Sequence, residues 1–184
     1  SSVSSSSSQT NTTTQTIING WNLLSLPIDT TLNQTEFNSK YTNIVTMWKW
    51  TGTSWNAYSP NASLSQKIAN AGISALSSIT TGDGYWLNTT QNQNVTFSGN
   101  SYNIKTLSKF TTATTGWHLL GTGESVTVNE LTALKSNIVT IWKWSGTSWS
   151  AYGPNSTLAT KISNAGINTL NTINAGDGFW VNLQ

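Results

Sequence analysis

Trp48, Trp50 and Trp55 crowd the stretch NIVTMWKWTGTSWNAYSPN, residues 43–61. Trp142, Trp144 and Trp149 hold the same places in NIVTIWKWSGTSWSAYGPN, residues 137–155. Indoles at this density suit one of two tasks. They can fill a core, or they can offer flat faces on which the C–H sides of sugar rings stack. A sugar site also needs a few polar groups beside the stacking wall. Lys49, Asn56, Tyr58 and Asn61 supply them in the first stretch, and Lys143, Ser150, Tyr152 and Asn155 in the second. The candidate ligand-binding set is therefore Lys49, Trp50, Trp55, Asn56 and Tyr58, with Lys143, Trp144, Trp149, Tyr152 and Asn155.

Strand geometry sharpens the choice. With residues 51–54 as a turn, Trp50 faces Trp55 and Trp48 faces Ala57. Side chains alternate along a strand. Ile44, Trp48, Trp50, Trp55 and Ala57 then share one face. Val45, Met47, Lys49, Asn56 and Tyr58 share the other, which is expected to be wetter. Packed inward, each Trp removes roughly 200 Å² from water, on the order of 5 kcal/mol gross. As a platform, Trp50 and Trp55 stay exposed at the hairpin tip. Trp21 and Trp86 lie within strands and are expected in the core.

Other reactive residue types are sparse. Asp83 and Asp177 are the only acids at matching places, each between two glycines, which reads as a tight turn held by Asx-type hydrogen bonds. A calcium role would need six to eight oxygens, and one Asp per site offers few. Lys49 and Lys143 sit between two Trp and could lie over aromatic surface or make cation–π contacts. Lys67 and Lys161 are expected to be solvated. His118 is the only His and has no nucleophile motif beside it. Glu124 with Glu130, or Asp29 with Glu36, could in principle form a glycosidase pair, but these acids do not coincide between the two stretches. Gly121-Thr122-Gly123 lacks the strand–helix setting of a phosphate loop. No cofactor or metal is implied.

Composition narrows the class. Charged residues are 8% of the 184, there is no Arg, and the net charge is +2. That leaves no basic footprint for nucleic acid and no bidentate fork for phosphate. Cys is absent, so disulfides and thiolate chemistry are excluded. No apolar run approaches the ~20 residues that span a bilayer. Ser, Thr, Asn and Gln must cover the surface, which suits a neutral polysaccharide as partner. The Asn-X-Ser/Thr sequons are expected by chance in so polar a chain.

These residues sit in a tandem duplication. Residues 43–88 align with 137–182 without a gap, with 29 identities in 46 positions. All ten Trp fall in five equivalent pairs: 21/117, 48/142, 50/144, 55/149 and 86/180. Each copy reads as a first strand (17–26 in copy one, stopped by Pro27), a variable segment, a hairpin, a short helix after Asn61, Gly72 as its left-handed cap, and a last strand after Gly82-Asp83-Gly84. The variable segment of copy two carries a possible helix start capped by Asn129. Residues 95–97 read as a further strand. The expected fold is mainly β with one short helix per repeat, a β-rich α+β class, in two tandem homologous small domains, 16–100 and 101–184. Residues 1–15, SSVSSSSSQTNTTTQ, read as a disordered Ser/Thr linker to an upstream domain. They lack the basic start and apolar centre of a signal peptide, so the chain reads as a piece of something longer.

Polyserine tethers of this kind resemble those that join catalytic and binding modules in secreted polysaccharide-degrading enzymes of bacteria, or a generic spacer in a surface protein. The Gly-Trp-(Asn/His)-Leu-Leu start at 20 and 116 and the Gly-Asp-Gly-aromatic-Trp end at 82 and 176 resemble a module of secreted and surface bacterial proteins. The likeness covers both copies. It implies export and modularity, carries no established activity, and supplies no site residues. The function expected is a non-catalytic extracellular carbohydrate-binding pair, secreted or at the cell surface. The alternative is a structural or adhesive terminal repeat with the Trp in its core, and a small hydrolase is a third reading.

Overall fold

The structure is a computed structural model that describes residues 10–184. In chain order it runs β1 (Asn11–Ile17), β2 (Gly20–Ser25), β3 (Thr31–Asn33), α1 (Gln34–Lys40), β4 (Ile44–Trp50), β5 (Trp55–Tyr58), α2 (Ala62–Asn70), β6 (Ser74–Ala75), β7 (Ser78–Thr80), β8 (Gly84–Thr89) and β9 (Gln93–Gly99). A 3-10 turn (Ile104–Thr106) and α3 (Ser108–Thr111) lead to β10 (Gly116–Gly121), β11 (Val126–Thr127), α4 (Val128–Leu134), β12 (Ile138–Trp144), β13 (Trp149–Tyr152), α5 (Ser156–Asn164), β14 (Asn168–Thr169), β15 (Thr172–Ile173) and β16 (Gly178–Leu183). The fold is mainly β with short helices.

Two five-stranded sheets dominate, in the orders β2-β8-β4-β5-β6 and β10-β16-β12-β13-β14. Their neighbours pair antiparallel except the last, β5 with β6 and β13 with β14, which are parallel. Parallel pairing needs a crossover, and α2 and α5 provide it. Asn61 accepts the Leu64 N–H at 3.0 Å to start α2, and Gly72 (φ 75°) ends it.

Three expectations change. The strand expected over 17–26 is two strands in different sheets. The chain turns at Gly20 (φ 104°), and the Asn22 side chain holds the corner by accepting the Ile18 N–H and donating to its carbonyl. The expected linker extends too far, because Asn11–Ile17 pairs with β9 along its whole length. Gln15 and Ile17 are buried there while Thr12, Thr14 and Thr16 face water, the period-2 pattern of a half-buried strand. Residues 1–9 lie outside the described residues. Finally, there is more than one helix per repeat. In α4 the cap is Thr127 and not Asn129: Thr127 Oγ1 accepts the Glu130 N–H while Glu130 accepts the Thr127 N–H, a capping box.

The cores lie under the hairpin face expected to be wet. Met47 is fully buried with Leu87 beside it and Tyr58 packed against that cluster, and Ile141, Val181 and Tyr152 repeat the arrangement. The misreading came from Lys49 and Asn56, which share that face. They lie towards the hairpin tip, next to the Trp50–Trp55 pair.

Gln15 ties the first core to the second half of the chain. Its Nε2 donates to the carbonyls of Ser25 (2.8 Å) and Gly176 (3.0 Å), and its Oε1 accepts from the Tyr41 hydroxyl, which in turn bonds that of Tyr85. Burial pushes both phenols above their ordinary range. Gln15→Leu leaves the Tyr41–Tyr85 pair short of an acceptor. The expected loss is about 2 kcal/mol, read by urea unfolding; an unchanged midpoint would remove this network from the account of stability.

The two sheets meet where Leu24 bridges Asp177 and Asp83 bridges Leu120. The Ser25 N–H donates to the Gly176 carbonyl at 2.8 Å, and the Gly121 N–H to the Gly82 carbonyl at 2.9 Å. Gly84 and Gly178 permit this approach. A Cβ on Gly84 would strike the Leu120 carbonyl and lie 2.9 Å from its nitrogen. One on Gly178 would meet the Leu24 nitrogen at the same distance.

Candidate functional site

The faces opposite the cores carry the Trp. The expected hairpin register holds: Trp50 pairs with Trp55, Trp48 with Ala57, and in the second sheet Trp144 with Trp149. Trp86 lies beside Trp48 and Trp180 beside Trp142, while Trp21 and Trp117 stand on the edge strands β2 and β10. Each sheet therefore turns five indoles one way, towards the other sheet.

The rings interlock edge to face, as aromatic quadrupoles prefer. Trp55 is one hub, with centroids 6.2 Å from Trp48, 5.3 Å from Trp50 and 5.8 Å from Trp180 across the junction. Trp149 is the other, 6.1 Å from Trp142, 5.3 Å from Trp144 and 5.9 Å from Trp86. Trp21 meets Trp86 at 6.0 Å and Trp117 meets Trp180 at 6.2 Å. Two indole N–H groups clamp the halves together. Trp50 Nε1 donates to the Trp117 carbonyl (2.9 Å) and Trp144 Nε1 to the Trp21 carbonyl (3.0 Å).

Two open clefts remain in this seam. One, about 410 Å³, is lined by Trp50, Trp55, Trp117, Trp142, Trp149 and Trp180. The other, about 430 Å³, is lined by Trp21, Trp48, Trp55, Trp86, Trp144 and Trp149. Every lining residue is Trp, each cleft draws on both copies, and Trp55 and Trp149 belong to both. These volumes are in the range of small-ligand sites.

The expected ligand set divides. Trp50, Trp55, Trp144 and Trp149 stand in the clefts, half-buried. Lys49, Asn56, Tyr58, Lys143 and Tyr152 belong to the opposite faces by strand alternation, and all but Asn56 have side-chain partners there. Lys49 pairs with Asp83 (2.6 Å) and Lys143 with Asp177 (2.5 Å). Tyr58 accepts from Asn38 Nδ2 at 2.6 Å, and Tyr152 donates to Asn129 Oδ1 at 3.3 Å. Asn155 caps α5 by accepting the Thr157 and Leu158 N–H groups. None of these polar residues lines either Trp cleft. Trp21 and Trp86, expected in the core, line a cleft instead, and Trp21 and Trp117 are each 43% exposed. The sequence signal for the full set was there: all five Trp pairs are retained.

The acids have structural partners. Asp83 accepts the Thr80 N–H and Asp177 the Asn174 N–H, both at 2.8 Å, which is the expected turn bond. Asp83 also holds Lys109 at 2.7 Å. Burial alone would raise its carboxyl, but Lys49 and Lys109 outweigh that and keep it below the usual range. Glu124 accepts from Ser101 and Asn103, and Glu130 from Thr127 and Lys105, while Asp29 accepts from Thr81. The Thr127 backbone N–H holds Glu130 down to about 2. His118 Nε2 lies 2.7 Å from the Thr114 carbonyl. Lys40 over Phe97 and Lys135 over Phe110 are the lysine–ring stacks among the described residues. Lys49 and Lys143 are not among them, because each is drawn to its Asp. Among the described residues no three His, Asp or Glu gather as a metal site would require.

Compared with known proteins, the chain matches no family model, no curated protein and no solved structure.

Proposed function

We propose that the chain is a non-catalytic, extracellular binding module that stacks neutral polysaccharide on its Trp seam, reading it as two homologous units, 16–100 and 101–184, with 11–15 joined to the first. The observation that carries this is the pair of clefts walled only by indoles, with Trp21 and Trp117 open to solvent at their rims. Two linked sites on one polymer also add avidity without new contacts. The sparsely charged, amide- and hydroxyl-rich surface and the resemblance to exported bacterial modules support a secreted or cell-surface setting. No helix among the described residues is long and apolar enough to cross a membrane.

The test uses Trp21→Ala with Trp117→Ala. The double variant should lose at least about tenfold in retention on a polysaccharide affinity gel, since hot-spot indoles of this kind each contribute more than ~1 kcal/mol. Its melting temperature should fall by only a few degrees. Unchanged retention, or no ligand across a broad glycan panel, would refute the reading. A structural or adhesive role is the second reading. The bonds from Trp50 and Trp144 to carbonyls across the junction favour it, because those indoles hold the halves together. Trp50→Ala and Trp144→Ala should therefore lower stability under either reading.

A further inference from the structure

Resting on the glycan reading, the lining of the clefts says which rings fit. We propose that they select pyranose rings whose hydroxyls are all equatorial, as in β-1,4-linked gluco- and xylo-configured chains. The walls are almost wholly indole carbon. The one polar atom of an indole side chain is an N–H donor. Those of Trp50 and Trp144 are bonded to backbone carbonyls, and that of Trp142 is buried without a partner. The nearby acids, Asp83 and Asp177, are bound to lysines on the other side of the sheets. The side chains of the cleft walls thus offer a ligand hydroxyl no acceptor.

A ring with only equatorial hydroxyls shows bare C–H groups above and below and keeps its hydroxyls around the edge. In an open cleft the edge stays in water, and the electron-rich indole faces attract the C–H side. An axial hydroxyl points at the indole instead. It loses water, finds nothing to donate to, and sets an oxygen lone pair against the π face. In β-1,4 chains neighbouring rings are flipped, so alternate faces reach the wall. Both faces are bare in an all-equatorial ring, so flipping carries no penalty.

The experiment is a Trp-fluorescence titration of the full chain with cellohexaose, xylohexaose and mannohexaose, all β-1,4-linked, the last with an axial hydroxyl at C2. Cellohexaose and xylohexaose should bind at least about tenfold more tightly than mannohexaose, and Trp21→Ala with Trp117→Ala should weaken both. Mannohexaose binding as tightly as the others would overturn the selection while leaving glycan binding intact. Binding unaffected by the double variant would place the ligand elsewhere and overturn the inference. Silence from all three hexaoses, with the fold intact by circular dichroism, would overturn the glycan reading and this inference with it.

Discussion

Asp83→Asn should destabilise the protein by roughly 3 kcal/mol, the lower end of what removing one partner of a buried pair costs, and Asp177→Asn by clearly less. The two acids occupy equivalent turns, and each is paired with the lysine of its own hairpin, Lys49 or Lys143. Their surroundings differ. The Asp83 side chain is 7% exposed and holds two ammonium groups, while that of Asp177 is 24% exposed and holds one. Lys109 makes the difference. It leaves α3, in the second half of the chain, to reach Asp83 Oδ1, Thr80 Oγ1 and the Thr81 carbonyl, each at 2.7 Å. Asparagine keeps the turn bond from Thr80 but leaves Lys49 and Lys109 facing each other with no anion between them. Both lysines are partly exposed and can swing outward, which keeps the loss near the low end.

The sign of the pH dependence follows. The folded carboxyl of Asp83 lies below its unfolded value, so its contribution is complete above the unfolded pKa, about 3.9. It is lost as pH falls through the folded value. Guanidinium midpoints at pH 7 and pH 3 measure this: the gap between wild type and Asp83→Asn should narrow at pH 3. Equal losses for the two variants at pH 7 would mean that Lys109 adds nothing.

The same residues show how far sequence reasoning reached. The hairpin was legible because a four-residue turn between two apolar runs fixes register, and register then puts Trp50 opposite Trp55. The helix after Asn61 was legible because cap, periodicity and Gly72 agree. The outcome for the Trp face was not. Within one copy a face of Trp48, Trp50, Trp55 and Trp86 must be either core or platform. The third answer, a face turned towards the same face of the other copy, depends on how two sheets dock. Local sequence encodes that weakly. Its trace was Gly84, which reads as the end of a turn but serves a backbone contact 36 residues downstream, at Leu120. The strand at Asn11–Ile17 was hidden for another reason. Its outward residues are Thr and its inward anchor is Gln15, so composition alone gives no core signal, and partnership with β9 decides its state. Lys49 with Asp83 and Lys143 with Asp177 were visible as retained pairs, yet nothing in their spacing of 34 says that they touch.

Gly84→Val should separate the sheets, and it is the sharpest test of the junction. The obstruction is backbone, at Leu120, and a strand backbone held by β16 on its other side cannot yield as a side-chain tip would. Overpacking of this kind costs typically 1–3 kcal/mol when side chains can adjust; here the expected loss is about 3 kcal/mol or more. Gly178→Val should behave alike, through Leu24. Both changes open one junction, so the double variant should lose less than the sum of the two. Gly52→Ala is the control: its φ is 102° but no atom lies within 4 Å of the added methyl, so only local backbone strain of about 1 kcal/mol is expected. The distinguishing readout is tryptophan emission under native conditions. In Gly84→Val the seam between the sheets loosens and the emission should shift to the red, because Trp55 leaves Trp180 and Trp149 leaves Trp86. Gly52→Ala should leave it unchanged. Since each cleft takes walls from both copies, the glycan binding proposed above should also be lost in this variant while each hairpin keeps all its own indoles. A red shift without loss of binding would mean that one copy's Trp face suffices, and the composite site would have to be abandoned.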